Sequence, residues 1–452
     1  MLSRYSKYYK NIIILALPIL VGQLGMITVG FADNIMVGQH STAELAAASF
    51  VNNIFNIVMF LCLGFTYGLT PLIGALAGRK DDDREEKIGR TLRVGLRVNF
   101  LFSLLLTVVM GTLYFFLDRL GQPEELLPIV RPYYLIYLSG LIPVAIFNVF
   151  AQWSYAIRNT VMPTIIVLIS NVLNIIGNYL LISGHCGFPE LGLTGAGLST
   201  LTARLFCPVI IFCVFMFSRK YSRYRTGFHN KNVESYPAKQ IATTSLPIGF
   251  QMAFETAAFS GAAIIAGMLP DGTLALAAFQ VLLIVATLGF CIYYSIGTGV
   301  SVLVANAAGE NDYHRMRSIG WAGYHVTLAF SVLSCTVFLV LGPTLISFFS
   351  DNDEALIALA TAQLIPLVVY QLGDATQINF AGALRGTSRV MPILWIAFFS
   401  YILVGIPSTW TLPHTMGMGL QGIFYSFSIS LFLAGGLFLY YFLHYTRLKR
   451  NH

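Results

Sequence analysis

The stretch that decides the fold runs from Leu246 to Gly267 and reads LPIGFQMAFETAAFSGAAIIAG. Roughly 20 apolar residues cross about 30 Å of hydrocarbon, and this stretch is that long, yet Glu255 stands near its middle. An ionised carboxylate at that depth is costly unless it faces a cavity, a partner or an ion. A related stretch lies 229 residues earlier, where Leu17-Pro18-Ile19 matches Leu246-Pro247-Ile248 and Gly38 matches Gly267. It also holds an intramembrane carboxylate, Asp33, which aligns with Ala262 and not with Glu255.

The whole chain shares this character. Of its 452 residues 56% are hydrophobic and only 10% charged, against about 25% charged in a soluble protein. It therefore reads as an all-α, polytopic membrane protein. The apolar runs predict twelve spans, at 12–38, 47–76, 91–117, 127–156, 161–183, 193–217, 241–267, 275–307, 319–346, 355–384, 391–411 and 418–444. The first run lacks a small-residue cleavage site and reads as a span, not a removable signal. Five of the six cysteines lie in apolar runs and only Cys186 falls in a predicted loop. No disulfide framework or metal centre is implied, and no cofactor is expected.

Charge orients the spans. With twelve of them, 24 of the 27 Lys and Arg fall on one side, and the opposite side holds only Arg119 and Arg131. Arg204 lies within a span. Positive charge marks the cytoplasmic face, so both termini are expected in the cytoplasm and the protein in the cell inner membrane. The excess of +7 is thus topological, and no nucleic-acid partner is expected.

The longest polar segment, 218–239, separates an N-terminal six-helix bundle at 1–217 from a C-terminal one at 240–452. Pairs recur in order across the divide at offsets of 227 to 231 residues. Ala156-x-Arg158 and Val161-Met162-Pro163 return as Ala383-x-Arg385 and Val390-Met391-Pro392, and Gly192-Leu193-x-Gly195 returns as Gly419-Leu420-x-Gly422. Six spans per half give both halves one orientation, a parallel repeat of the kind transporters rock against each other.

Polar residues within the spans mark the candidate sites. Asp33 lies near the end of the first span, Asn171, Asn174 and Asn178 share a face of the fifth, and Thr200 follows in the sixth. A carboxylate, amide carbonyls and a hydroxyl suit a hard cation such as Na⁺, or a proton on the acid. They equally suit interhelical hydrogen bonding with Asp33 at a wet boundary, and the residues alone leave both open. In the second half Gln251 and Glu255 share one face, and Tyr370 and Asp374 another, each pair four residues apart. Two acids from separate spans repel each other until a cation or proton joins them. Gln280 reads as a packing residue or a substrate contact. Asp351 and Asp353, in an outer loop, read as solvated or as attracting a cationic substrate. Phosphate-loop, metalloprotease and hydrolase motifs are absent from the sequence, so the chain is expected not to be an enzyme.

At ALPILVGQL and FADNIMVG in span 1, SLPIGFQMAFE in span 7 and YQLGDATQINFAGALRGTSRVMP in span 10, the chain resembles the multidrug and toxic compound extrusion (MATE) family, within it the NorM-like branch. The resemblance covers residues 8 to 445. It implies two six-helix bundles around a central cleft, and export of organic cations and drugs by alternating access, as an antiporter coupled to Na⁺ or H⁺. Glu255, Tyr370 and Asp374 correspond to a cation site of the C-lobe; Asp33, Asn174, Asn178 and Thr200 correspond to one of the N-lobe. Two positions depart from the family pattern: Asn178 stands where other members carry an acid, and Phe279 stands before Gln280 where many carry histidine. The protein is expected to act as a monomer in the bilayer. A flippase for lipid or lipid-linked oligosaccharide is the alternative; an anionic headgroup would call for cations within the spans, where the sequence places three acids and Arg204.

Overall fold

The computed structural model describes residues 2–120, 124–350 and 353–448, all helix and connecting turns without a β-strand among them. Span 1 is α1 (Leu2–His40). Span 2 is α2 (Thr42–Thr66) with α3 (Leu69–Gly78), span 3 is α4 (Arg84–Leu113), and span 4 is α5 (Leu127–Ser139) with α6 (Leu141–Ala156). Spans 5 and 6 are α7 (Val161–Leu181) and α8 (Gly192–Phe217), followed by the short α9 (Ser222–His229). Spans 7 to 9 are α10 (Ala238–Gly267), α11 (Gly272–Gly309) and α12 (Tyr313–Phe348). Span 10 is the pair α13 (Glu354–Thr361) and α14 (Leu364–Gly386), bent by 51°. Span 11 joins α15 (Met391–Ala397) to α16 (Ile406–His414) through a π-helix at Phe398–Gly405, and span 12 is α17 (Gly419–Leu448).

Among the described residues eleven segments are each long and apolar enough to cross a membrane, and the bent pair makes twelve. Each overlaps its sequence-predicted span and most extend it by a turn or less, because a helix continues past the hydrocarbon until a cap stops it. Ser41 caps α2 by accepting from the Glu44 amide at 3.4 Å, and Asp312 caps α12 by accepting from the Arg315 amide at 2.8 Å. The side chains facing outward are themselves apolar: Leu101, Val108, Val209, Val340 and Trp395 stand exposed. In water such surface would drive aggregation; on these helices it meets lipid.

The helices form two compact units, Val21–Gly249 (here the N unit) and Met1–Leu20 with Phe250–His452 (the C unit). These differ from the sequence halves at the openings of α1 and α10. The chain passes from one unit to the other after Leu20 and again after Gly249, in each case two residues beyond Pro18 or Pro247. Proline inside a helix lacks the amide that would bond one turn back, so the twin prolines give both helices a weak point where packing partners change. The repeat is visible elsewhere in the backbone. Gly192 and Gly419, paired in sequence, both adopt the left-handed conformation, at φ 54° and 55°, where α8 and α17 begin. A side chain there would strain both starts.

In the N unit, Trp153 is fully buried, with Phe215, Tyr221 and Tyr224 meeting it edge to face at 5.1–5.7 Å between centroids. The middle segment 218–239 is thereby anchored. Its α9 lies so close to α4 that a Cβ on Gly89 would fall 1.8 Å from the Tyr224 carbonyl oxygen, and one on Gly227 would fall 1.9 Å from that of Glu86. Arg93 and Arg225 donate to the carbonyls of Phe228 and Ser218, at 3.0 and 2.6 Å. In the C unit, α14 packs against α11, α12 and α17, and Tyr370 sits in an aromatic cluster with Phe259, Phe424 and Phe427.

Candidate functional site

The polar side chains singled out in the sequence form two clusters among the described residues, one in each unit, and the two differ in chemistry.

In the C unit the cluster is built by the face of α14 that carries Tyr370, Asp374, Gln377 and Arg385. Tyr370 lies four residues before Asp374 and seven before Gln377, and Asp374 lies eleven before Arg385; these spacings keep them in line, because each is close to a whole number of 3.6-residue turns. Opposite lies the face of α10 with Gln251 and Glu255. Gln377 Nε2 donates to Glu255 Oε2 at 3.5 Å, and Arg385 Nη2 donates to Gln251 Oε1 at 2.9 Å. These two contacts run in opposite order along the helices, as antiparallel neighbours require. Asp374 is 1% exposed and makes no hydrogen bond or ion pair with any described residue; its Oδ2 is fully enclosed. Glu255, only partly buried, lies within electrostatic reach of both Asp374 and the Arg385 guanidinium. Tyr370 and Tyr401 feel the same two carboxylates. The Tyr401 hydroxyl faces the Gln377 amide without closing a hydrogen bond.

The structure thus brings Glu255, Tyr370 and Asp374 together and adds three residues. Gln377, three residues beyond Asp374, was legible from spacing alone. Arg385 was counted with the cytoplasmic charges, whereas its guanidinium returns to Gln251, one turn from Glu255. Tyr401 had no sequence signal, since its direction is set by the π-helix, whose extra residue per turn re-aims side chains and recurs at functional sites.

In the N unit Asp33 of α1 meets Asn174 and Asn178 of α7. Asn178 donates to Asp33 Oδ1. With its amide oriented to satisfy both neighbours, Asn174 donates to the same Oδ1 at 2.9 Å and accepts from the Thr200 hydroxyl at 3.1 Å. All four predicted residues therefore form one connected network, with Asn178 fully buried. Arg204, one turn beyond Thr200 on α8, stacks over Tyr137 at 4.2 Å and acts electrostatically on Asp33. Asp33 is thus a hydrogen-bonded acid with a cation nearby, whereas Asp374 has no such partners.

The remaining candidates lie apart from these networks. Gln280 is exposed on α11 and makes no hydrogen bond with a described residue. Asp353 caps α13, accepting from the amides of Ala355 and Leu356 at 2.9 and 3.2 Å. Asp351 lies outside the described residues. Among the described residues no group of three or more His, Cys, Asp or Glu has the arrangement of a metal site.

Comparison with known proteins agrees with this architecture. The MatE family model matches the chain twice, at residues 18–180 and 247–411, one match per repeat and each starting at or beside a twin proline. The probable multidrug resistance protein NorM of Mannheimia succiniciproducens is 30% identical over 449 residues, covering 97% of this chain and 94% of that protein. The NorM of Bradyrhizobium diazoefficiens is 30% identical over 429 residues, covering 94% and 90%. Among solved structures, the eukaryotic MATE transporter AtDTX14 superposes with a TM-score of 0.84 at 17% identity, covering 97% of this chain and 96% of its own. A MOP superfamily transporter from Pyrococcus furiosus gives 0.84 at 16% identity, with the same coverage. At these identities the two structures attest the fold alone. The chain belongs to the MatE family of multi-pass multidrug transporters.

Proposed function

We propose that this protein exports organic cations and drugs as an antiporter driven by inward Na⁺ or H⁺, using alternating access. The observation that carries the reading is Asp374. A carboxylate enclosed so fully, with no hydrogen bond and a second acid nearby, is stable only with a proton or a cation on it. An exchanger needs such a group, since one ligand must leave before the other is held. Drug and coupling ion then weaken each other's binding by the same factor. Glu255, Tyr370 and Asp374 hold the ion in the C unit, with Gln377 orienting Glu255. Asp33, Asn174, Asn178 and Thr200 supply a second, weaker cation site, because the one acid there is already engaged by two amides and Arg204 stands by. Gln280, Asp351 and Asp353 contribute to substrate capture by their polarity and negative charge. The charge bias supports placement in the cell inner membrane with both termini cytoplasmic. The protein acts as a monomer and needs no cofactor beyond the coupling ion.

Efflux of a fluorescent organic cation from loaded cells tests the reading. Replacing Na⁺ by choline at fixed pH, and then collapsing the pH gradient, assigns the ion. Asp374→Asn and Glu255→Gln are each expected to lower ion-dependent efflux by more than about tenfold, some 1.4 kcal/mol. Unimpaired, still ion-dependent efflux in both variants would remove the C-unit site; efflux indifferent to both gradients would remove antiport.

A further inference from the structure

A cavity lies in the C unit, at the ends of three spans. Its volume is about 310 Å³, and it is lined by Tyr5 of α1, by Tyr313, His314, Arg317, Ser318 and Trp321 of α12, and by Thr446 of α17. The described lining contains an arginine and a histidine but no acid. Arg317 is half-buried, yet its guanidinium makes no ion pair or hydrogen bond with any described residue. Ser318, which lines the cavity, is 6% exposed, and its hydroxyl has no partner among the described residues. Nearby acids along the chain are engaged elsewhere: Glu310 pairs with Arg315, and Asp312 caps α12. The walls are aromatic, with Tyr5 meeting His325 edge to face at 5.4 Å and Trp321 packed against the same ring at 6.4 Å.

We propose that this cavity binds a phosphate-ester anion, the chemistry common to an anionic phospholipid headgroup and a soluble phosphomonoester. A guanidinium and a hydroxyl at the cavity wall with no protein acceptor keep their donors available to a ligand placed there. A phosphate oxygen accepts from the planar guanidinium fork in a bidentate manner. The volume matches small-molecule sites, which begin near 300 Å³, and exceeds what a bare inorganic anion would fill. The cavity opens where Tyr5, Tyr313 and Thr446 mark the ends of their spans, the depth at which tyrosine and tryptophan sit among lipid headgroups. The site is separate from both carboxylate clusters and does not depend on the ion-coupled reading.

Native mass spectrometry of the full chain released from nanodiscs, with phosphatidylglycerol or phosphatidylcholine as guest lipid, tests the lipid source. A thermal-shift titration with glycerol 3-phosphate tests the soluble source. Binding in either arm, weakened about tenfold by Arg317→Gln and measurably by the milder Ser318→Ala, supports the proposal; the arm that responds names the source. Lys80→Gln, which removes an exposed positive charge from the N unit, is expected to leave that binding unchanged. Equal retention of phosphatidylglycerol and phosphatidylcholine with no glycerol 3-phosphate response would overturn it. So would binding insensitive to both cavity variants, or lost equally in Lys80→Gln.

Discussion

At the scale of single residues, the two clusters are governed by the same rule applied to different surroundings. Asp374 is enclosed without a donor, so a charge on it calls for a proton or a cation to meet it. Asp33 receives the amides of Asn174 and Asn178, which satisfy most of what a carboxylate needs. Two substitutions follow from this contrast. Arg385→Gln removes a positive charge within electrostatic reach of Glu255. A cation should then bind the C-unit site more tightly, and the ion concentration for half-maximal efflux should fall by about threefold or more. An unchanged or higher half-saturating concentration would show that Arg385 acts only on Gln251. Asn178→Asp replaces a donor to Asp33 with a second acid. Repulsion should lower the melting temperature in cation-poor neutral buffer, and acidification should restore it. A loss that persists at low pH would mean the change is steric, not electrostatic.

Elements are placed chiefly by backbone approach and by breaks in regularity. The short α9 joins the N unit because Gly89 and Gly227 let two backbones nearly touch. Gly89→Ala would put a methyl carbon 1.8 Å from a carbonyl oxygen of α9, too close for side-chain adjustment to relieve. We expect about 2 kcal/mol of destabilisation, read as a lowered melting temperature, with release of α9 read as faster amide exchange over residues 222–229. Normal protection there would mean that α4 yields instead. The π-helix of span 11 is the counterpart in the C unit. One additional residue per turn swings Tyr401 toward Glu255 and Asp374, at the cost of a weaker hydrogen-bonding pattern over eight residues.

For the molecule as a whole, orientation is the property most open to direct test. Cys186 is the one exposed cysteine among the described residues, in the turn between α7 and α8. With both termini in the cytoplasm, that turn faces outward. A membrane-impermeant maleimide should therefore label the protein in intact cells, and Cys186→Ser should abolish the signal. Labelling that appears only in inside-out vesicles would reverse the proposed orientation and, with it, the side from which a coupling ion would enter.

The sequence by itself determined the spans, the repeat and the acids, because each is written locally. Hydrophobicity sums over about 20 neighbours, repeats are matched position by position, and a carboxylate in an apolar run is conspicuous wherever it points. Helical periodicity extended this to pairs on one helix, such as Tyr370 with Asp374 and Asn174 with Asn178. What it left undecided were relations between helices. Whether the asparagines were helix glue or joined Asp33 in holding a cation depended on how α7 meets α1, and the structure shows both amides donating to Asp33. The approach of Arg385 to Gln251, the aim of Tyr401 and the unpartnered state of Asp374 were set only by tertiary packing. A side chain's free energy depends on what surrounds it, and in this protein the surroundings come from residues more than a hundred positions away: Gln377 reaches Glu255 across 122 residues, and Asn178 reaches Asp33 across 145.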